Sequence, residues 1–125
     1  MNKIKKRFFY GSQTINKNDV KSITKVIKNE KLTQGPQIDL FEKNLSQEFK
    51  SKYCTVVSNG TAALFLIGKF LNWGKSDAVI TTPISFIASA NCIELNNADT
   101  KFIDIDINNF TIDPNKVEDF LKKSN

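Results

Sequence analysis

Three short runs recur along the chain: YCTVV over residues 53–57, AVITT over 78–82 and KFIDI over 101–105. Each is rich in β-branched residues and too short for a helix, the composition of strands covered by other elements. Segments of helical length separate them. Residues 61–71 are rich in Ala and Leu, and residues 86–96 follow the break made by Pro83. Strands alternating with helices of this length require βαβ crossovers, and hence a parallel sheet. The expected class is α/β.

Two further helices are predicted ahead of the first strand. Asn16 or Asn18 can cap a helix reaching about Glu30, and its Val20, Ile23, Val26 and Ile27 fall at helical spacing and predict one buried face. KLTQGP, residues 31–36, must turn because it holds a Gly-Pro pair. A second helix is expected from about Gln37 to Lys50, with Ile38, Phe41, Leu45 and Phe49 at steps of three and four. Pro114 opens a last helix, with Val117, Phe120 and Leu121 directed inward. A three-stranded parallel sheet leaves two open edges and little room to bury both faces. The chain also stops at KKSN, where the next strand of an alternating fold would begin. The expectation is a truncated reading frame or an excerpt of a longer enzyme.

Composition narrows the chemistry. The 125 residues include no His, which removes His triads, His general bases and most zinc and non-haem iron sites. Cys54 and Cys92 match no metal-ligand spacing and are expected as reduced core thiols. The net charge of +5 rests almost wholly on Lys, with Arg7 the only arginine, and the lysines are interleaved with Asp and Glu. That pattern reads as solvated helix faces, not as a nucleic-acid surface. No apolar run approaches the roughly 20 residues a bilayer needs. The opening MNKIKKRFFYG carries too short an apolar part for a secretory signal, so a cytoplasmic protein without membrane contact is expected.

Three segments can carry chemistry. In SNGTAAL, residues 58–64, Asn59 and Gly60 permit a tight turn and Thr61 places a hydroxyl beside free N–H groups at a helix start. Such a start, with the positive end of the helix dipole, can seat a phosphate. An ordinary capped βα turn has the same shape, and the segment is neither a P-loop nor GxGxxG. In TTPISFIASAN, residues 81–91, Phe86 stands where ligands of open α/β sheets bind. It could cover a planar cofactor or serve as core. Asp104 and Asp106 could form an acid–base or metal pair, or simply a polar strand end.

Taken in order, FYGSQTI, KLTQGP, FEKNL, VSNGTAAL, DAVITTPISFIASANCI and FIDID resemble the DegT/DnrJ/StrS family of pyridoxal-phosphate-dependent sugar aminotransferases. The resemblance runs from about Tyr10 to Pro114, and LTQGP and TPISFIASANC are its specific marks. It is similar in particular to the branch that aminates a UDP-linked 4-keto-6-deoxy-N-acetyl sugar on the way to pseudaminic acid. What this implies is the N-terminal part of the large domain of fold type I PLP enzymes. Residues 1–15 would form an N-terminal arm and residues 16–125 the N-terminal part of the PLP-binding domain.

The resemblance also implies roles. Gly60, Thr61 and Ala62 match the turn that holds the cofactor phosphate, and Phe86 matches the aromatic stacked on the pyridine ring. Tyr10, with Lys31, Leu32, Thr33 and Gly60, matches the nucleotide-sugar site near the dimer interface. Asp104 and Asp106 match a structural strand end. Pyridoxal 5'-phosphate, a UDP-linked keto sugar, an amino-acid donor such as glutamate and a homodimer of full-length chains follow as expectations. No residue here corresponds to the Schiff-base lysine or to the acid that pairs with the pyridinium nitrogen. No catalytic residue and no metal are therefore assigned, and the chain alone is expected to be inactive. Ser76, Asp77 and Ala78 depart from the family's Gly-Asp pair and its following acidic residue at the start of this strand. A stand-alone or vestigial α/β module that keeps a phosphate-binding turn without catalysis is the other reading.

Overall fold

Asn16 starts the first helix, α1 (Lys17–Asn29), in a computed structural model that describes residues 11–124. The Asn16 side chain accepts from the N–H groups of Asn18 (2.7 Å) and Asp19 (3.3 Å), and the Asp19 carboxylate accepts from the Asn16 N–H (2.8 Å). This reciprocal pair satisfies donors that a helix start otherwise leaves unpaired. The chain forms two compact units, one ending at Val56 and the other running from Val57.

In the first unit, α1 turns into α2 (Pro36–Glu48) through Gln34, which is left-handed at φ 51°. Gly35 is buried so tightly against the Lys31 carbonyl that a Cβ would lie 1.8 Å from its oxygen, so no other residue fits without moving the backbone. Pro36 occupies the first turn of α2, where its missing N–H costs nothing. The expected buried face of α1 is not found: Val20, Ile23 and Ile27 are exposed and Val26 is half-buried. On α2, Leu45 is half-buried while Ile38 and Phe41 are exposed, as is Phe49 just beyond its end. Periodicity sets which side of a helix is apolar, and among the described residues no second element of this unit packs over either stripe.

The expected strand at Tyr53–Val57 is also absent from the described sheet. A strand exists only through a neighbour's ladder, and here the Val56 N–H donates instead to the Glu42 carboxylate of α2 at 2.8 Å. Cys54 accordingly is half-buried and not a core thiol, whereas Cys92 is buried as expected.

The second unit holds α3 (Gly60–Phe70), β1 (Ala78–Thr81), α4 (Ala88–Glu94), β2 (Asp99–Phe102) and α5 (Pro114–Lys123). β1 and β2 pair in parallel, Ala78 opposite Asp99 and Thr81 opposite Phe102. Bonds from the Asp99 N–H to the Asp77 carbonyl (2.9 Å) and from the Ile103 N–H to the Thr81 carbonyl (2.8 Å) extend the ladder at both ends. The described sheet thus has two strands where three were expected. β2 ends before Ile105, which bridges Ile112 in antiparallel fashion instead.

α4 crosses over β1 and β2 and carries the core, where Cys92, Ile93 and Ala98 gather with Trp73 and Val79. Asn97, left-handed at φ 61°, turns the chain from α4 back into β2. α3 packs on α4, with Gly68 buried at the crossing. In α5, capped by Asp113, Val117 and Phe120 are half-buried but Leu121 is exposed, at the edge of the stripe the spacing predicts.

Candidate functional site

The SNG segment caps α3. Asn59 takes the extended conformation of an N-cap, and its Oδ1 accepts from the Ala62 N–H at 2.9 Å. The Ala63 N–H donates to the Asn59 carbonyl at 3.2 Å. The N–H groups of Gly60 and Thr61 meet no acceptor among the described residues, as the first turn of a helix dictates. A Cβ placed on Gly60 would meet no atom within 4 Å, so this start faces open space. Two free donors and the positive end of the helix dipole therefore point to the same opening.

That opening is a cleft of about 670 Å³. Asn59, Gly60, Thr61, Ala63 and Leu64 line one side, and Phe86, Ala88 and Ser89 line the other. It lies where the loop leaving the C-terminal end of β1 meets the helix starts, the usual ligand position in a parallel sheet. Phe86 is 74% exposed, which removes its reading as a core residue. It precedes α4, which is shorter than the helix expected over residues 86–96. Its carbonyl accepts the Ser89 N–H at 2.9 Å, and the hydroxyls of Ser85 and Ser89 stand 3.0 Å apart, closing the loop.

The structure thus brings Gly60, Thr61 and Phe86 to one cleft. Ala62 is half-buried, does not line it, and its N–H is engaged by the cap. Lys31, Leu32 and Thr33 are exposed on the turn between α1 and α2, in the first unit, and Tyr10 lies outside the described residues. Asn59, read from the sequence only as a turn former, and Ser89, not singled out there, also belong to the cleft. The capping role of Asn59 follows a sequence signal, since Asn directly before a helical run is a preferred cap. A serine inside a helix gives no comparable sign.

Asp104 and Asp106 serve the chain itself. Asp106 accepts from the Asn108 N–H (2.8 Å) and from the side chains of Asn108 (3.0 Å) and Asn109 (3.1 Å), tying down the loop before Ile112. Asp104 accepts from the Ile105 N–H (2.8 Å) and from Lys116 Nζ (3.2 Å). The backbone N–H first, and then the Lys116 ammonium, hold the Asp104 carboxyl below its usual range. Both carboxylates act as acceptors, Asp106 within its own turn and Asp104 from the Ile105 N–H and Lys116, which favours the polar strand-end reading. Among the described residues no group of three His, Cys, Asp or Glu could hold a metal ion. No described helix is long and apolar enough to cross a membrane.

The cleft can take a phosphate at the α3 start and a flat ring against Phe86, with apolar wall between them. A phosphorylated aromatic group such as PLP fits these residues: the anion meets free N–H donors and the ring meets an exposed aromatic face.

Comparison with known proteins agrees. The model of the DegT/DnrJ/EryC1/StrS aminotransferase family, whose members depend on PLP, matches residues 13–125. The chain is 37% identical over 109 residues to the spore coat polysaccharide biosynthesis protein SpsC of Bacillus subtilis, covering 87% of this chain and 28% of that protein. It is 37% identical over 115 residues to the UDP-4-amino-4,6-dideoxy-N-acetyl-beta-L-altrosamine transaminase of Campylobacter jejuni, covering 92% and 30%. Among solved structures, Helicobacter pylori PseC, an aminotransferase involved in the biosynthesis of pseudoaminic acid, superposes with a TM-score of 0.82 at 32% identity. That match covers 91% of this chain and 31% of PseC. The chain therefore spans about a third of the length of these relatives and matches the N-terminal part of the PLP-dependent aminotransferase fold. By family model, sequence and fold together, it belongs to the DegT/DnrJ/EryC1/StrS aminotransferases.

Proposed function

We propose that this chain forms the N-terminal part of the PLP-binding domain of a nucleotide-sugar aminotransferase. The full-length enzyme would move an amino group from an amino acid, glutamate in this reading, to a UDP-linked 4-keto-6-deoxy sugar. The observation that carries the proposal is that the free N–H groups of Gly60 and Thr61 and the exposed ring of Phe86 line one cleft. The UDP-linked sugar in the name of the C. jejuni relative, and the part PseC takes in pseudoaminic acid biosynthesis, support the sugar class.

Bound PLP would supply the electron sink for moving the amino group. The chain's own residues do the rest of what is assigned here. Gly60 and Thr61 hold the phosphate, and Phe86 covers one face of the ring and keeps water from it. Ala62, matched by the family turn, backs the phosphate seat through the cap on its N–H. Roles in nucleotide-sugar binding are assigned to Tyr10, Lys31, Leu32 and Thr33, and a second role of that kind to Gly60. The lysine that carries PLP is assigned outside these 125 residues, in an enzyme that works as a cytoplasmic homodimer.

The test is Thr61→Ala in the full-length enzyme. A charge-assisted hydrogen bond to phosphate is worth about 1.5–3 kcal/mol, so PLP retention should weaken about tenfold or more while the bound cofactor remains competent. Because Thr61→Ala removes only the hydroxyl, Thr61→Pro, which removes one of the two free N–H groups at a first-turn position, is measured beside it. Retention equal to the parent's in both variants, by PLP titration, would remove the phosphate role of SNGTAAL. It would leave a non-catalytic α/β module as the better reading.

A further inference from the structure

Asn96 is the most completely buried polar side chain among the described residues, 1% exposed, just beyond the end of α4. Its Nδ2 donates in two directions: to the Cys92 carbonyl of α4 at 2.7 Å and to the Phe65 carbonyl of α3 at 3.2 Å. Its Oδ1 has no partner. An apolar side chain of the same size would leave no orphaned oxygen, but it could not join the two carbonyls. Opposite the amide stands Gly68, where a Cβ would lie 2.3 Å from Asn96 Nδ2 and 2.7 Å from Trp73 Cε3. The absence of a side chain at Gly68 is what lets α3 approach closely enough for the bond.

α3 is placed by its packing on α4, to which this contact contributes. Among the described residues α3 packs on α4 and on no other helix or strand, and the segment before it enters no sheet. The two halves of the cleft belong to these same two elements: Gly60 and Thr61 start α3, and Phe86 stands on the loop that enters α4. A change in how α3 lies on α4 therefore changes the distance from the phosphate seat to the ring face.

We infer that Asn96 is a positioning residue of the cleft, clamping α3 to α4 so that the α3 start and Phe86 address one ligand. This rests on the cofactor reading above. In the full-length enzyme, Asn96→Ala and Asn96→Ser are compared with the parent by PLP titration and by the visible circular dichroism of bound PLP. Both are measured at a temperature where each protein is folded. Retention should fall about fivefold, the equivalent of one ordinary hydrogen bond, and the dichroic band should change in size. Gly68→Ala, which forces the same interface apart with Asn96 in place, should move both readouts in the same direction.

Variants that melt earlier yet keep parental affinity and dichroism overturn the inference, since a purely structural residue would behave that way. Should the substitutions prevent folding, the unmutated enzyme decides by hydrogen exchange. Loading the apoenzyme with PLP should slow exchange in peptides spanning Phe65–Phe70 and Cys92–Asn97, and unchanged exchange there overturns the inference. A parent enzyme that takes up no PLP removes the cofactor reading and this inference together. A parent that binds PLP alongside variants indistinguishable from it removes this inference alone.

Discussion

The Oδ1 of Asn59 accepts the Ala62 N–H at 2.9 Å, and this bond decides which donors of α3 remain for an anion. With Ala62 engaged, Gly60 and Thr61 are the two that face the cleft. The cap and the phosphate seat are therefore one construction with separable parts. Asn59→Ala should lower stability by about 1 kcal/mol, as loss of an N-cap does, and let the helix start fray. Thermal melting and PLP titration of the full-length enzyme check this. The melting point should drop while retention falls less than in Thr61→Ala.

Phe86 gives the opposite separation. An exposed ring carries little of the fold, so Phe86→Ala should change stability by less than about 0.5 kcal/mol, where a core Phe would cost about 3–5 kcal/mol. The loss should appear instead at the cofactor, as stacking of about 0.5–1.5 kcal/mol and a lower rate at saturating PLP. Phe86→Tyr should keep both. Denaturant melts beside saturating-PLP kinetics distinguish the two costs.

The Asp104 carboxyl titrates below its usual range because the Ile105 N–H and Lys116 favour its charged form. A folded value lower than the unfolded one means that its stabilisation is fully present above the unfolded value. It is lost as pH falls through the folded one. The stability difference between parent and Asp104→Asn should therefore be constant near neutral pH, begin to shrink near about pH 4 and vanish below that. Lys116→Met should reduce the difference without abolishing it, because the backbone donor remains. Denaturant midpoints measured across this range decide the matter.

Phe70, 85% exposed, shares α3 with exposed Leu66 and Ile67, and α1 presents an uncovered stripe of Val20, Ile23 and Ile27. Apolar surface on this scale binds other apolar surface in water. The 125-residue chain expressed alone should bind a hydrophobic dye, melt broadly and show no transamination with glutamate and a UDP-keto sugar. A monodisperse sample with a sharp cooperative transition, or measurable turnover, would contradict this.

Much of the second unit and half of the cleft were legible in the residues. Asn16 as a cap, Pro114 at a helix start, the Gly-Pro turn and the β1 run follow from forces acting over three or four neighbours. SNGTAAL stood out because a helix start leaves donors free whatever surrounds it, and Phe86 because it follows the C-terminal end of a strand in a parallel sheet. The tertiary structure decided the rest. Tyr53–Val57 has strand composition but no neighbour, so it forms no ladder. Asp104 and Asp106 look like a reactive pair in sequence, yet Ile105, Lys116 and Asn108 engage them. Phe86 proved open and Asn96 closed, and no property of either residue type announces which. Gly68 and Asn96 mean little apart; their roles arise only where α3 crosses α4. Caps and turns are set by bonds within one stretch of backbone, whereas exposure and pairing depend on which distant segment arrives, and only the folded chain specifies that.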